Sequence, residues 1–185
     1  MWWPNIVLKF KIFFDRRHSF YIWKNIVMIF IRKGTKKDIS SLLNLIKELA
    51  EYEKEPDEVV VTEDQLLEDG FGKTKIFDFY VATEIGKVVG FALYYTKYST
   101  WKGNCIYLED LIVTKEYRGQ GIGKQLFEEV LKVAKAKKAH RFEWQVLNWN
   151  QPAINFYKKY NADLDPNWLN GELNYNQLQE FNEFE

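Results

Sequence analysis

The tightest constraint on this 185-residue chain is a strand that runs into a glycine loop and then a helix. Ile106-Tyr107-Leu108-Glu109-Asp110-Leu111-Ile112-Val113 has strand composition, Thr114-Lys115-Glu116-Tyr117 interrupts it, and Arg118-Gly119-Gln120-Gly121-Ile122-Gly123-Lys124 opens a helical repeat. Glycines let consecutive backbone N–H groups turn toward one point, and a helix N-terminus adds partial positive charge, so the arrangement is preorganised for phosphate. A bare structural turn has the same residues, and the loop alone leaves both readings open. Spacing excludes two nucleotide loops. A P-loop needs Ser or Thr after Gly-Lys, but Gly123-Lys124 is followed by Gln125. A dinucleotide fingerprint needs glycines at offsets 0, 2 and 5, whereas Gly119, Gly121 and Gly123 stand at 0, 2 and 4.

Around the loop, helical and strand periods alternate, which predicts one α/β or α+β domain. Thr35-Lys36-Lys37-Asp38 resembles a capping box before a helix over 36–53, whose apolar stripe is Ile39, Leu42, Leu43, Ile46, Leu49 and Ala50. A second helix is expected over 62–70, closed by Gly70. Phe77 to Thr83 and Val88 to Tyr95 read as strands joined by the turn Glu84-Ile85-Gly86-Lys87. Further expectations are a strand over 105–113, a helix over 121–137 and a strand over 141–147. Asn150 is placed to cap a helix carrying Ala153, Phe156, Tyr157 and Tyr160 on its apolar face. Trp168 to Leu178 reads as one or two strands.

Composition removes several function classes. The chain carries 26 Lys and Arg against 26 Asp and Glu, a balance unlike that of a nucleic-acid binder. A single cysteine, Cys105, excludes an internal disulfide and fits a reducing, cytoplasmic setting; two distant histidines offer no zinc cluster, so metal-free chemistry is expected. The aromatic first thirty residues are cut by Lys9, Lys11, Asp15, Arg16, Arg17 and Lys24, whereas a spanning helix needs about 18 apolar positions, so no integral membrane segment is expected. Met28-Ile29-Phe30-Ile31-Arg32 reads as the first strand of a domain over 28–185. Residues 1–27 are read as an extension, either from a misassigned start codon or as an amphipathic or organelle-directing segment.

Beyond the loop, a set of motifs resembles one family. Arg118-x-x-Gly121-x-Gly123 resembles the pyrophosphate loop of the GNAT superfamily of N-acetyltransferases. Tyr107-Leu108-Glu109-Asp110, Trp101-Lys102-Gly103, Leu147-Asn148-Trp149-Asn150-Gln151 and Asn155-Phe156-Tyr157 are similar to its diamine/thialysine branch, over about residues 28–175. The resemblance implies a central mixed, mostly antiparallel sheet flanked by helices. It implies acetyl-CoA as co-substrate, held by backbone groups of Leu111, Ile112 and Val113 and by the loop Arg118, Gly119, Gln120, Gly121, Ile122, Gly123 and Lys124, with Asn150 and Ala153 beside the pantetheine arm. It further implies Tyr157 as general acid toward the leaving thiolate, Glu109 as proton acceptor from the amine, and Tyr52, Glu53, Glu143, Trp144 and Gln145 as substrate contacts. A small cationic amine as substrate and a homodimer complete what it implies.

The reaction itself asks for such groups: an ammonium must lose a proton, an oxyanion needs N–H donors, and a thiolate leaves better once protonated. Without the resemblance, Tyr157 reads as a core tyrosine, and Glu109 as a residue facing water or pairing with a lysine. Cys105 reads as a small buried hydrophobe, and His140 as a solvated helix-end residue. Between Glu48 and Asp69 ten acidic residues face one lysine, a local charge of −9, while basic residues gather from Lys124 to Arg141. That asymmetry suits a polyanionic cofactor at one end of a cleft and a cationic amine at the other, though charged helix faces are also ordinary. The rival activities are a protein Nα- or lysine acetyltransferase and a catalytically silent acyl-CoA-binding module.

Overall fold

The computed structural model describes residues 5–14 and 20–181, grouped in two compact units divided between Gln145 and Val146. Six strands in sequence order form one sheet in the first unit: β1 Asn5–Phe14, β2 Phe20–Lys33, β3 Asp78–Glu84, β4 Lys87–Ser99, β5 Gly103–Val113 and β6 Arg141–Glu143. The first five run antiparallel, and β6 pairs in parallel with β5. The mixed, mostly antiparallel sheet with flanking helices is the architecture that the motifs imply. Strand β2 pairs with β1 from Phe20 to Ile29 and with β3 from Ile29 to Lys33.

Helices α1 Ile39–Glu53 and α2 Glu63–Phe71 pack on one face. Ile39, Leu42, Leu43, Leu45 and Leu66 meet Phe79, Val81, Phe91, Leu93 and Ile112 in a buried cluster. Each such side chain, fully buried, contributes about 1.5–3 kcal/mol. Helix α3 Ile122–Ala136 buries Leu126, Phe127 and Val130, with the Phe127 ring 5.2 Å from Phe142 and 5.4 Å from Trp144. The start of α1 is held by Asp38, which accepts from the Thr35 N–H and hydroxyl at 2.8 Å each and from both Arg32 guanidinium nitrogens at 2.7 Å. The β3–β4 turn has positive φ at Ile85 (46°) and Gly86 (80°), as a tight two-residue hairpin requires.

Three expectations differ. Helix α2 runs through Gly70 and ends at Phe71, because the Gly72 N–H still bonds back to the Glu68 carbonyl at 2.7 Å. The strand expected over 141–147 is only Arg141–Glu143. Its last pair is Tyr107 with Glu143; two residues further on β5 bulges at Glu109, and no ladder continues to Trp144. In the second unit, residues expected as strand between Trp168 and Leu178 contain the short helix α5 Tyr175–Gln179. Asn174 and Gln177 close it reciprocally, Asn174 Oδ1 accepting from the Gln177 N–H at 3.0 Å and Gln177 Oε1 from the Asn174 N–H at 2.9 Å, a local trade that outweighs strand alternation.

The second unit also holds α4 Gln151–Lys158, where Asn150 Oδ1 accepts from the Ala153 N–H at 3.3 Å. Asn161 follows the helix at φ 55°, the left-handed conformation that asparagine tolerates.

Candidate active site

Strand β5 carries the site because it does two things in succession. Leu93 pairs with Asp110 and Tyr94 with Leu108, which leaves Glu109 as the extra residue of a β-bulge. Three residues later the buried Ile112 and Val113 end the strand, and a short 3-10 turn over Lys115–Tyr117 leads into the glycine loop. One strand therefore presents a pair of carboxylates and then leads into the glycine loop.

At the loop, Gly119 and Gly121 have φ of 73° and 78°, and Gly121 is the N-cap of α3. A side chain is strained in that conformation, and nothing lies within 4 Å of where a Cβ would stand at either position. The first N–H groups of α3 have no intrahelical acceptor and, with the helix dipole, favour an anion. Gln120 Nε2 donates to the Glu116 carbonyl at 3.2 Å, and the Tyr117 hydroxyl donates to Glu84, so side chains pin the loop while its backbone faces outward. The open cradle fits a pyrophosphate. Arg118 points elsewhere: its Nε donates to the Val113 carbonyl at 2.9 Å, and its guanidinium lies over the Tyr52 ring at 4.8 Å.

The other end of the site is acidic. Glu109 is exposed and Asp110 half-buried. Burial first, then the charges of Glu109 and Glu53, push the Asp110 carboxyl up to about 7. Burial raises Glu53 as well. The Tyr95 hydroxyl rises through burial and through Glu109, to which it is hydrogen-bonded; Tyr107 is pushed up to about 12, again by burial ahead of Glu109. Glu53 is the last residue of α1, so the negative end of that helix adds to the same potential. The structure thus brings Glu53, Glu109 and Asp110 into one corner with no compensating cation among the causes of these shifts.

The remaining expected contacts sort differently. Glu143 is already paired, its Oε1 accepting from Arg141 at 2.9 Å and its Oε2 lying 3.6 Å from Lys97. Trp144 packs its ring against Phe127 and Phe142, and Gln145 is exposed. In the second unit, Asn150, Ala153 and Tyr157 share α4; Tyr157 is buried, with Phe156 at 5.1 Å between ring centroids. Cys105 is fully buried, and His140 is exposed with Nδ1 2.5 Å from the Lys102 carbonyl. In the sequence Asp110 stands out only as the neighbour of Glu109. Its adjacency to Glu109 at the strand end was the available signal, but the bulge and the approach of Glu53 are tertiary facts.

No group of three His, Cys, Asp or Glu among the described residues has metal-ligand geometry, and no described helix is long and apolar enough to cross a membrane.

Comparison with known proteins gives this geometry a context. Residues 39–162 match the acetyltransferase (GNAT) family. The thialysine N-epsilon-acetyltransferase of Bos taurus is 44% identical over 142 residues, spanning 72% of this chain and 84% of that protein. Spermidine/spermine N(1)-acetyltransferase-like protein 1 of Homo sapiens is 37% identical over 71% of this chain and 20% of its own length. Among solved structures, an integron cassette protein from the mobile metagenome of V. cholerae superposes with a TM-score of 0.67 at 27% identity, over 82% of this chain and 95% of the other. An aminoglycoside N-acetyltransferase solved in complex with CoA shares the fold at a TM-score of 0.63 and 18% identity, over 78% of this chain and 94% of the other.

Proposed function

The chain belongs to the acetyltransferase (GNAT) family, and on that premise we propose that it moves acetyl from acetyl-CoA to a primary amine of a small cationic molecule of the thialysine or polyamine kind, by direct attack in a ternary complex. The observation that carries the substrate class is the corner of Glu53, Glu109 and Asp110, which holds negative charge at a cost until a cation arrives.

Acetyl-CoA supplies an activated thioester. Backbone N–H groups of Leu111 to Val113 and of the loop from Arg118 to Lys124 hold its carbonyl and phosphates, and Asn150 and Ala153 flank its arm. Glu53 and Tyr52 draw the ammonium in, with the exposed Gln145 at the rim. Glu143, already paired with Arg141, and Trp144 complete the expected substrate contacts. Glu109 accepts a proton from the ammonium through water, the freed nitrogen attacks the carbonyl carbon, and as the C–S bond breaks Tyr157 gives its hydroxyl proton to the departing sulfur; the second proton of the new amide nitrogen leaves to water, and Tyr157 regains a proton from solvent. A second reading, favoured by its carboxyl titrating near 7, makes Asp110 the proton acceptor with Glu109 as its electrostatic partner. The rate–pH profiles of Glu109→Gln and Asp110→Asn separate the two, since only loss of the true acceptor removes the rising limb. A homodimer in the cytoplasm belongs to the same proposal, resting on family resemblance and on a single cysteine.

The test is release of free thiol from acetyl-CoA across thialysine, spermidine, putrescine, lysine and a lysine-bearing peptide. Robust release with a free amine is expected; release with the peptide alone points to a protein acetyltransferase, and none with any acceptor to a silent CoA-binding module. Tyr157→Phe is expected to lower kcat about 100-fold while leaving the Kd for CoA within about twofold. Unchanged turnover would remove Tyr157 from the mechanism.

A further inference from the structure

Arg118 is the first residue of the phosphate loop, yet its side chain reaches the opposite side of the site. Its Nε holds the Val113 carbonyl at 2.9 Å, its guanidinium covers the Tyr52 ring at 4.8 Å, and Nη2 lies 3.9 Å from Glu48 Oε1. That same Glu48 oxygen accepts from the Lys115 N–H at 3.3 Å. One side chain therefore ties the end of β5 and the loop to the last two turns of α1. The next residue after Tyr52 is Glu53, whose charge reaches Asp110.

We infer that Arg118 is a positioning residue that couples the cofactor loop to the amine corner, so that closing the loop on phosphate sets Tyr52 and Glu53 for the amine. The inference deepens the functional reading above and rests on it. No single contact is large: an exposed ion pair contributes about 0–1 kcal/mol and a partly exposed cation–π contact about 0.5–1 kcal/mol. What matters is that a planar guanidinium makes all three contacts from one rigid group, which the flexible ammonium of lysine cannot reproduce. Coupling between two binding sites is reciprocal and commonly amounts to about 5-fold or more in affinity.

Calorimetric titration of the full chain with thialysine and with spermidine, each with and without saturating CoA, reads the coupling without turnover. CoA is expected to tighten amine binding about 5-fold or more in the wild type. In Arg118→Lys and in Tyr52→Leu that factor falls to within about twofold of unity, whereas Tyr52→Phe, which keeps the ring under the guanidinium, retains it. Tyr52→Leu keeps Arg118 and so serves if Arg118→Lys does not fold. An equal factor in wild type and variants, or no tightening in the wild type, overturns the coupling alone. If neither amine binds in either state, the functional reading falls with it.

Discussion

Two aspartates on the same domain titrate in opposite directions. Asp38, 5% exposed, is held down to about 2, chiefly by its hydrogen bonds from Arg32 and then from Thr35. Asp110, half-buried on β5, is pushed up to about 7 by burial and by two like charges. The first carboxylate has its counter-ion built into the chain and anchors the entry to α1. The second has carboxylates for neighbours, an arrangement that costs stability and is repaid only when a cation comes from outside. The same rule sets Glu143, paired with Arg141 and Lys97, apart from Glu53 and Glu109.

The comparison breaks most readily at Asp110. With Asp110 as the proton acceptor, Asp110→Asn is expected to lower kcat/KM for the amine about 100-fold at pH 8, and much less at pH 6, where the wild-type carboxyl is itself mostly protonated; with Glu109 as the acceptor, that loss belongs to Glu109→Gln. Stability should move the other way. A carboxyl whose folded pKa lies above its unfolded value stabilises the fold below the unfolded pKa and loses that contribution as pH rises through the folded one. Wild-type Tm should therefore decline between about pH 4 and pH 7 relative to Asp110→Asn, and the variant should be the more stable at pH 8. An equal dependence of Tm on pH in the two proteins would show that the corner is not strained.

Asp38 sharpens the contrast from the other side. Its folded pKa is depressed, so its contribution is complete above about 4 and is lost as pH falls toward about 2. Asp38→Asn should cost about 1–2 kcal/mol at neutral pH in denaturant unfolding, after allowing for the partly exposed Arg32, with activity per folded molecule within about twofold. A large fall in kcat with unchanged stability would put Asp38 in the site and dissolve the distinction. The smallest effect belongs to the solvent-exposed pair of Lys132 and Glu129 on α3, 2.7 Å apart: Lys132→Ala should change stability by no more than about 0.5 kcal/mol. A loss above about 1 kcal/mol would mean that surface pairs here count as much as the half-buried pair of Arg32 and Asp38.

Much of this fold was legible because its signals are local. The stripe of α1, the Ile85-Gly86 turn, the helix that follows the glycine loop and the Asn150 cap follow from periodicity and from what particular residues do to backbone geometry. What escaped depends on partners distant in sequence. Phe142, Trp144 and Val146 alternate like a strand, but the length of β6 is set by its pairing with β5, which ends at Tyr107 with Glu143. The loop glycines were readable from spacing, whereas the side chain of Arg118 turns inward to a ring 66 positions earlier in the chain, which no local pattern encodes. Likewise Glu143 and Glu53 carry the same charge in sequence; only the approach of Arg141 and Lys97 to one and of Asp110 to the other distinguishes them.

Whether the corner of Glu53, Glu109 and Asp110 keeps an uncompensated carboxylate is read most directly by carboxyl-carbon NMR titration of Asp110, in the free protein and with saturating thialysine. The midpoint is expected near 7 in the free protein and falls once the amine's positive charge is present. A midpoint near 4 in the free protein, unmoved by the amine, would contradict it.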